Sequence, residues 1–254
     1  MASKTSSGLA ETIKTLVYAI VIALFIRTFF YEPFSIPSAS MVPTLLIGDY
    51  LFVSKFSYGY SRYSMPLGLP LIPGPTRLFS RPPQRGDVAV FKQPRDPSVD
   101  FIKRIVGLPG DTLQMKDGVL NINDKPVTLQ RVADYYYAAP FFRDPGCRAG
   151  NYAQYLETLP GGKQHIIIKN CSLPQFDNTQ LFTVPPDHYF MMGDNRDDSA
   201  DSRDPTSGVG YVPVENLVGR ADFIFYSTDG YAAWWEPWKW PFTVRYDRLL
   251  TAIH

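Results

Sequence analysis

Residues 100–111 read D-F-I-K-R-I-V-G-L-P-G-D, a short apolar run that ends in a turn rich in glycine and proline. Isoleucine, valine and phenylalanine favour β-strands, whereas the turn at 107–111 interrupts one. The stretch therefore predicts a strand that closes at this turn. Because alternate side chains of a strand point the same way, Lys103 shares a face with Phe101 and Ile105.

Further strands are predicted on both sides of this one. Apolar or alternating runs separated by turn residues lie at 50–56, 88–91, 119–122, 165–168, 189–192 and 217–226. Many short strands, frequent turns and no alternation of strands with helices indicate a mostly β fold. We expect one β domain from residues 32–111 and 186–254, with a second β-rich lobe inserted at 112–185.

The N-terminal segment predicts a single transmembrane helix. Residues 12–31 form an apolar run with an uncharged centre, close to the ~20 residues that a helix needs to cross a bilayer. Lys4 and Lys14 precede its centre, and the positive-inside rule then puts residues 1–11 in the cytoplasm. A signal peptide cleaved at the small residues 38–40 fits the same pattern. We favour an uncleaved anchor, because the motif-rich part of the chain begins there.

The composition argues against several classes of protein. The chain has 254 residues, 45% hydrophobic and 19% charged, which is enough apolar material to exclude disorder. Its net charge of +1 argues against binding nucleic acid by charge. Three separated histidines and two cysteines argue against a metal centre, and no cofactor is expected. Cys147 and Cys171 are expected to pair in an oxidising compartment, and two unpaired thiols are the alternative.

A candidate nucleophile follows the predicted span, in I-P-S-A-S-M-V-P-T-L at 36–45. Ser40 lies on a turn fixed by Pro37 and Pro43 and has small neighbours. Its hydroxyl can therefore be exposed to a substrate. Ser38 nearby can donate a hydrogen bond to a developing oxyanion.

Lys103 is the candidate base, since a lysine on an apolar strand face is unusual. Burial would lower its pKa, because it penalises the charged ammonium. A neutral amine can activate a serine without any histidine. The alternative is a lysine at a strand edge that prevents aggregation.

A third segment, G-D-N-R-D-D-S-A-D-S-R at 193–203, carries six charges in eleven residues. It lacks the twelfth-position glutamate of an EF-hand calcium loop. A solvated turn is a further alternative, in which the charge pairs would contribute little. We favour a network of ion pairs that braces one wall of a site.

Together, P-S-A-S-M-V-P-T at 37–44 after a span, R-G-D-V-A-V-F at 85–91, and the segments 100–111 and 193–203 resemble the bacterial type I signal peptidases. The resemblance extends to about Tyr226. It implies a serine endopeptidase of the bacterial inner membrane that removes N-terminal signal peptides from exported preproteins. The catalytic domain would be periplasmic, and the enzyme would use a Ser/Lys dyad without a cofactor or a metal. A monomer is expected.

The resemblance assigns roles residue by residue. Ser40 would be the nucleophile and Lys103 its general base, with Ser38 and the Ser40 backbone N–H as the oxyanion hole. Ser199 would orient the lysine ammonium. Two structural ion pairs are implied, Arg104 with Asp194 and Arg203 with Asp201.

A pocket for small side chains is also implied. Its expected lining is Phe34, Ile36, Met41, Leu45 and Ile102. Strand alternation puts Ile102 and Lys103 on opposite faces, so a twist or a bulge is needed to bring both to the pocket. Substrates with alanine or glycine at the cleavage site should be cut, and substrates with large residues there should be rejected.

The sequence departs from the family pattern at two positions. Asp198 stands where asparagine is common, and an extra carboxylate beside Ser199 would raise the pKa of Lys103 if it lies close enough. His188 stands where a small residue is common, and we interpret it as structural. The lobe at 112–185 resembles the second domain of Gram-negative members.

Two other functions stay open. One is a related protease dedicated to a single substrate, such as a conjugative pilin. The other is a non-catalytic membrane protein that binds exported peptides. The intact Ser40 and Lys103 argue against the second.

All four tryptophans lie in W-W-E-P-W-K-W at 234–240. They could form a small core cluster under a loop. They could also contact membrane lipid, because tryptophan prefers the bilayer interface and Lys239 and Arg245 could meet anionic head groups. We expect the membrane contact, through Trp234, Trp235, Trp238 and Trp240.

Overall fold

A computed structural model describes residues 4–65, 72, 74, 76–137, 150–169, 176–204, 206–232 and 235–254. The expectation of a mostly β chain is confirmed, since one long helix precedes fifteen strands in this part of the chain. The strands are β1 Tyr31–Ser35, β2 Asp49–Ser54, β3 Val88–Lys92, β4 Asp100–Gly107, β5 Thr112–Lys116, β6 Val119–Ile122, β7 Lys125–Pro126, β8 Thr128–Tyr137, β9 Gly150–Thr158, β10 Gln164–Lys169, β11 Phe182–Thr183, β12 His188–Met192, β13 Tyr211–Pro213, β14 Leu217–Ser227 and β15 Thr251–Ala252. The expected Cys147–Cys171 disulfide falls on residues outside the described ones.

The N-terminal helix α1, Lys4–Phe29, begins and ends earlier than the sequence predicts. Its segment Gly8–Phe29 has a mean hydropathy of 2.0 and is long and apolar enough to cross a membrane. Tyr31, expected as the last residue of the span, instead begins β1. The physical reason is Pro33, which disfavours helical backbone at the residue before it. The apolar side chains of α1 are exposed, as a membrane anchor requires.

The junction between α1 and the β structure is fixed by polar contacts. The backbone N–H of Lys55 donates to the carbonyl of Phe30 at 3.0 Å, and the Tyr60 hydroxyl donates to the carbonyl of Phe29 at 2.7 Å. The buried ammonium of Lys55 also lies 2.9 Å from the carboxylate of Glu32. The helix is therefore joined to the strands at several points rather than through a free linker.

The main sheet has the order β1-β2-β14-β3-β4-β12-β13, with β15 paired to β14. Its pairings are antiparallel. The register of β14 shifts at three places, and such bulges bend a strand. On one side of the sheet lies an apolar core whose residues include Leu51, Val53, Val90, Val218 and Ile224.

Residues 112–185 contribute two smaller sheets, with the orders β11-β5-β6-β7 and β10-β9-β8. The first shares an apolar core with the main sheet, in which Leu113 and Leu120 pack with Phe190. The second packs Tyr152 and Ile168 against Ala39, Val42 and Ile47, beside Ser40. The three-stranded sheet β8–β10 therefore lies directly against the turn of the candidate nucleophile.

Candidate active site

Ser40 lies on a tight turn between β1 and β2. The N–H of Val42 donates to the carbonyl of Ala39 at 3.0 Å, and the N–H of Leu45 donates to the carbonyl of Met41 at 2.9 Å. The side chains of Met41, Val42 and Leu45 are completely buried. These apolar anchors fix the turn from below, and they leave the Ser40 hydroxyl at the wall of a cavity.

Lys103 reaches this hydroxyl from the middle of β4. Its Nζ donates to Ser40 Oγ at 2.6 Å and to the carbonyl of Ile102 at 3.0 Å. The residue is 3% exposed, so it is not a solvated lysine at a strand edge. Burial lowers the pKa of Lys103 to about 8, although Asp201, Asp194 and Asp198 act in the opposite direction. An amine with this pKa can exchange a proton with a serine near neutral pH.

The two other serines are close, but only one contacts the dyad through its hydroxyl. Ser38 Oγ lies 3.4 Å from Ser40 Oγ and is exposed to the cavity. Ser199 Oγ is buried and makes no hydrogen bond in the described structure. Its expected bond to the ammonium of Lys103 is therefore not formed here, and the orienting role stays a prediction.

Gly193 explains how these groups pack so closely. A Cβ atom at this position would lie 2.3 Å from Ser199 Oγ and 2.4 Å from the carbonyl oxygen of Ser40. Real Cβ atoms do not approach other atoms to such distances, so only glycine fits without displacing the turn of Ser40. Sequence reasoning quoted this glycine inside a motif without recognising its role.

A cavity of about 620 Å³ opens beside Ser40 and Lys103. Of the five residues expected to line the pocket, Phe34, Ile36 and Ile102 do so. Met41 and Leu45 do not line it, because their side chains point into the core beneath the wall and have no exposed surface. Residue type alone cannot separate a wall from the core that supports it.

Ile102 and Lys103 both line the cavity although neighbouring residues of a strand point to opposite faces. The pairing of β4 with β12 ends at the pair Arg104–Met192. The cavity lies beyond that point, along the strand edge, where side chains from both faces can border it. The pairing of β4 with β3 shows no register shift in this region, so of the two explanations, a twist or a bulge, no bulge is present in that pairing.

The two ion pairs implied by the sequence are present and buried. Arg104 forms two hydrogen bonds with Asp194, at 2.8 and 2.7 Å, and Arg203 forms two with Asp201, at 2.9 and 2.8 Å. Burial by itself raises the pKa of both aspartates, but the adjacent arginines outweigh it and lower them. Both carboxylates are therefore held ionised close enough to act on the charge of Lys103.

A family model for "Signal peptidase, peptidase S26" matches residues 9–226. The chain belongs to this family. Signal peptidase I of Rickettsia typhi (strain ATCC VR-144 / Wilmington) is 40% identical over 242 residues, which cover 92% of this chain and 86% of that protein. Signal peptidase I of Rickettsia akari (strain Hartford) is 41% identical over 227 residues, which cover 86% of this chain and 79% of that protein.

A solved structure of a signal peptidase I from Enterococcus faecalis V583 is 26% identical and aligns with a TM-score of 0.31. The alignment covers 55% of this chain and 97% of that chain. The family that the sequence motifs suggested is confirmed by the family model and by the Rickettsia relatives. As a member of peptidase S26, the chain is a protease, and its apolar N-terminal helix makes it a membrane-anchored one.

Sequence reasoning missed a second layer of charged residues behind the dyad. Arg196 donates two hydrogen bonds to the carboxylate of Glu157, on β9, and Nε2 of His165, on β10, lies 3.1 Å from the same carboxylate. Arg196 was visible only as one charge of the polar motif. Glu157 and His165 lie in the inserted lobe, where no motif marked them.

Charged residues of the polar motif pair both within the motif, as Arg203 does with Asp201, and with other strands, as Asp194 does with Arg104 on β4. Among the described residues there is no group of three or more histidine, cysteine, aspartate or glutamate side chains arranged to bind a metal. Asp194 and Asp201 instead face arginines, and Asp198 lines the cavity.

Proposed function

We propose that this family member is a signal peptidase that removes N-terminal signal peptides from exported preproteins, with Ser40 as the nucleophile and Lys103 as its general base. The observation that carries the proposal is the 2.6 Å contact between Lys103 Nζ and Ser40 Oγ at the wall of an apolar cavity. Residues 32–111 and 186–254 would form the catalytic domain.

The proton path follows from this contact. Neutral Lys103 accepts the Ser40 Oγ proton as Oγ attacks the scissile carbonyl carbon. Ser38 Oγ and the Ser40 backbone N–H donate to the resulting oxyanion. The Lys103 ammonium then returns its proton to the leaving amine as the peptide bond breaks. A water molecule releases the acyl group, with Lys103 again taking and returning a proton.

The cavity offers an extended peptide a path past Ser40. It runs between β1 and the open edge of β4, so an extended peptide can lie along both strands. Phe34, Ile36 and Ile102 present apolar surface to the cavity, beside the position at which the scissile bond would meet Ser40. We expect alanine or glycine there, as the sequence implied.

The orientation in the membrane follows from charge. Lys4 and Lys14 lie in the N-terminal half of α1, so its N-terminus would be cytoplasmic and the catalytic domain periplasmic, on the outer face of a bacterial inner membrane.

We also propose that aromatic side chains beyond α1 contact membrane lipid. A row of rings on one face of the main sheet runs outward from the helix end. Successive ring centres are 5.6 Å apart for Tyr31 and Phe56, 6.1 Å for Tyr31 and Phe52, and 4.4 Å for Phe52 and Phe225.

The tryptophan segment presents further exposed aromatic side chains. Trp235, Trp238 and Trp240 are 62%, 66% and 47% exposed, which argues against a core cluster, and Phe242 beside them is also exposed. Trp234 lies outside the described residues.

Cleavage assays on the full-length protein in detergent test the catalytic assignment. Ser40→Ala and Lys103→Ala should each abolish cleavage of several preproteins, and sequencing of the product N-termini identifies the cut bond. Lys92→Ala removes a lysine from the neighbouring strand and should cleave normally. A Lys103→Ala variant with near-normal rates would contradict the mechanism. Cleavage of one substrate alone would favour the dedicated protease, and no cleavage by the wild type would favour the peptide-binding protein.

Intrinsic fluorescence tests the lipid contact directly, because all four tryptophans lie in one segment. In liposomes with brominated acyl chains, the emission of the full-length protein should be quenched, since bromine quenches tryptophan only at short range. Trp238→Ser with Trp240→Ser should reduce the quenching but leave the cleavage of a short soluble peptide unchanged. Emission that is unaffected by brominated lipid would contradict the contact.

A further inference from the structure

We propose that Glu157, in the inserted lobe, is a positioning residue for the cleavage reaction: it holds the polar loop 193–199 against the turn of Ser40 through Arg196. This inference rests on the proposed roles of Ser40 and Lys103.

The chain of contacts from Glu157 to the turn of Ser40 begins at Arg196. Both side chains are almost completely buried, and both guanidinium Nη atoms donate to the carboxylate, one of them at 2.7 Å. Paired planar groups of this kind fix each other in angle as well as in distance. A buried charge that loses its partner is strongly destabilised, so each group constrains where the other can lie.

Arg196 is in turn bound to the backbone of its own loop, 193–199. Its Nε donates to the carbonyl of Gly193 at 3.2 Å, and its own carbonyl accepts from Arg203 at 2.5 Å. The backbone of the loop also pairs with β10, since Ile168 N–H donates to the carbonyl of Asp194 and Arg196 N–H donates to the carbonyl of Ile168, both at 3.0 Å. The side chain and the backbone therefore bind the loop to the three-stranded sheet.

Asn195 connects this loop to the turn of Ser40. The N–H of Asn195 donates to the carbonyl of Ser40 at 3.1 Å, and its side-chain amide donates to the carbonyl of Ala39 at 3.2 Å. Asn195 is the direct neighbour of Arg196. A displacement of the arginine therefore reaches the turn that sets the distance from Ser40 Oγ to Lys103.

His165 lies between Glu157 and the other ion pair of the site. Its Nε2 lies 3.1 Å from the carboxylate of Glu157 and 3.8 Å from that of Asp194. Asp194 in turn binds Arg104, the neighbour of Lys103 on β4. The carboxylate of Glu157 is therefore close to the residues that support Ser40 and to those that support Lys103.

The test compares Glu157→Gln with Asp111→Asn in the full-length protein. Asp111 pairs with Arg85 in a mostly buried ion pair outside the loop. Both variants should lower the melting temperature. Only Glu157→Gln should lower kcat, by at least about tenfold with KM within about twofold, because small misplacements of reacting groups cost rate rather than binding.

A double variant separates a path through Arg196 from general damage. Glu157→Gln with Arg196→Gln should be no slower than the slower single variant, since both break the same link. If Glu157→Gln does not fold, Arg196→Lys replaces it, because this variant keeps the charge but loses the paired contact, and the same loss of kcat is expected.

Wild-type kcat in folded Glu157→Gln or Arg196→Lys would overturn the inference, as would additive losses in the double variant. Ser40→Ala in the same assay distinguishes the two proposals. Activity that survives Ser40→Ala would refute the proposed function itself. An inactive Ser40→Ala beside a normal Glu157→Gln would refute only the positioning role.

Discussion

In the proposed mechanism Lys103 must lose a proton before it can take one from Ser40, so the rate should follow the titration of this amine. Burial lowers its pKa to about 8 against the effect of three carboxylates. Two of these, Asp194 and Asp201, are paired with arginines, whereas Asp198 lines the cavity. Changing Asp198 therefore leaves both of these arginine pairs in place.

We expect kcat/KM of the wild type to rise with pH through about 8. Asp198→Asn should move this rise to lower pH, because removing a nearby negative charge favours the neutral amine. A pH–rate profile with one short peptide measures the shift. Asp100→Asn is the matched control, since Asp100 also lines the cavity but is not among the carboxylates that raise the pKa of Lys103. A rise at unchanged or higher pH in Asp198→Asn would contradict the expectation.

Among the elements, the strand that carries Lys103 was predictable and its surroundings were not. Apolar runs and glycine turns gave the positions of β3, β4, β12 and β14, because these strands are buried and their sequences show it. The sequence did not show where the pairing of β4 with β12 ends, because this depends on where β12 itself ends. The same limit applied to the pocket, in which the fully buried Met41 and Leu45 resembled lining residues.

The long hairpin of β8 and β9 carried little signal. Many of its side chains are exposed or half-buried, so its sequence has few of the apolar repeats that predict strands. Its most consequential residue, Glu157, is a charged residue buried among other charges, and only the three-dimensional structure shows its partner. Motifs marked the residues near the substrate, but not those that hold them from behind.

Shortening a side chain in the wall of the cavity should have a different effect from shortening one in the core beneath that wall. Ile102→Ala enlarges the cavity and should permit cleavage after valine or leucine, with little loss of stability because Ile102 is only partly buried. Leu45→Ala leaves a void in the core and should cost about 2–5 kcal/mol of unfolding free energy with the preference for small residues retained. A peptide series and urea unfolding measure the two effects. Equal effects of both variants on specificity would contradict this division.

For the whole molecule, the buried charges predict how stability depends on pH. The pKa of Glu157 is lowered to about 2, and that of Asp194 is lowered too, since arginine outweighs burial at each site. Their contribution is therefore present above the unfolded value of about 4 and is lost as the pH falls toward the folded values. Burial also lowers the pKa of His165, against the effect of Glu157. Below about pH 6.5 the unfolded chain binds a proton that the folded chain resists, which lowers stability.

We thus expect the urea midpoint to be constant between about pH 7 and 8, to fall below about pH 6.5, and to fall further below about pH 4. Above about pH 8 it should rise, because the buried Lys103 loses its proton before a lysine of the unfolded chain does. His165→Gln should flatten the first decline and leave the second, and cleavage should remain largely intact because histidine has no part in the proton path. Replacing His188, which is half-buried at the start of β12, should leave both declines in place. An unchanged first decline in His165→Gln would show that another group causes it.

The fixed junction at the end of α1 gives the molecule a property that no single residue has. Ser40 follows Phe29 by eleven residues, which span at most about 40 Å even when extended, and Lys55 and Tyr60 hold the start of that path in place. The bilayer surface would therefore serve as a reference plane, and Ser40 would lie at a fixed height above it. In a substrate anchored in the same bilayer, only the peptide bonds at this distance from the membrane would reach Ser40. The place of cleavage would then depend on distance from the membrane as well as on side-chain size.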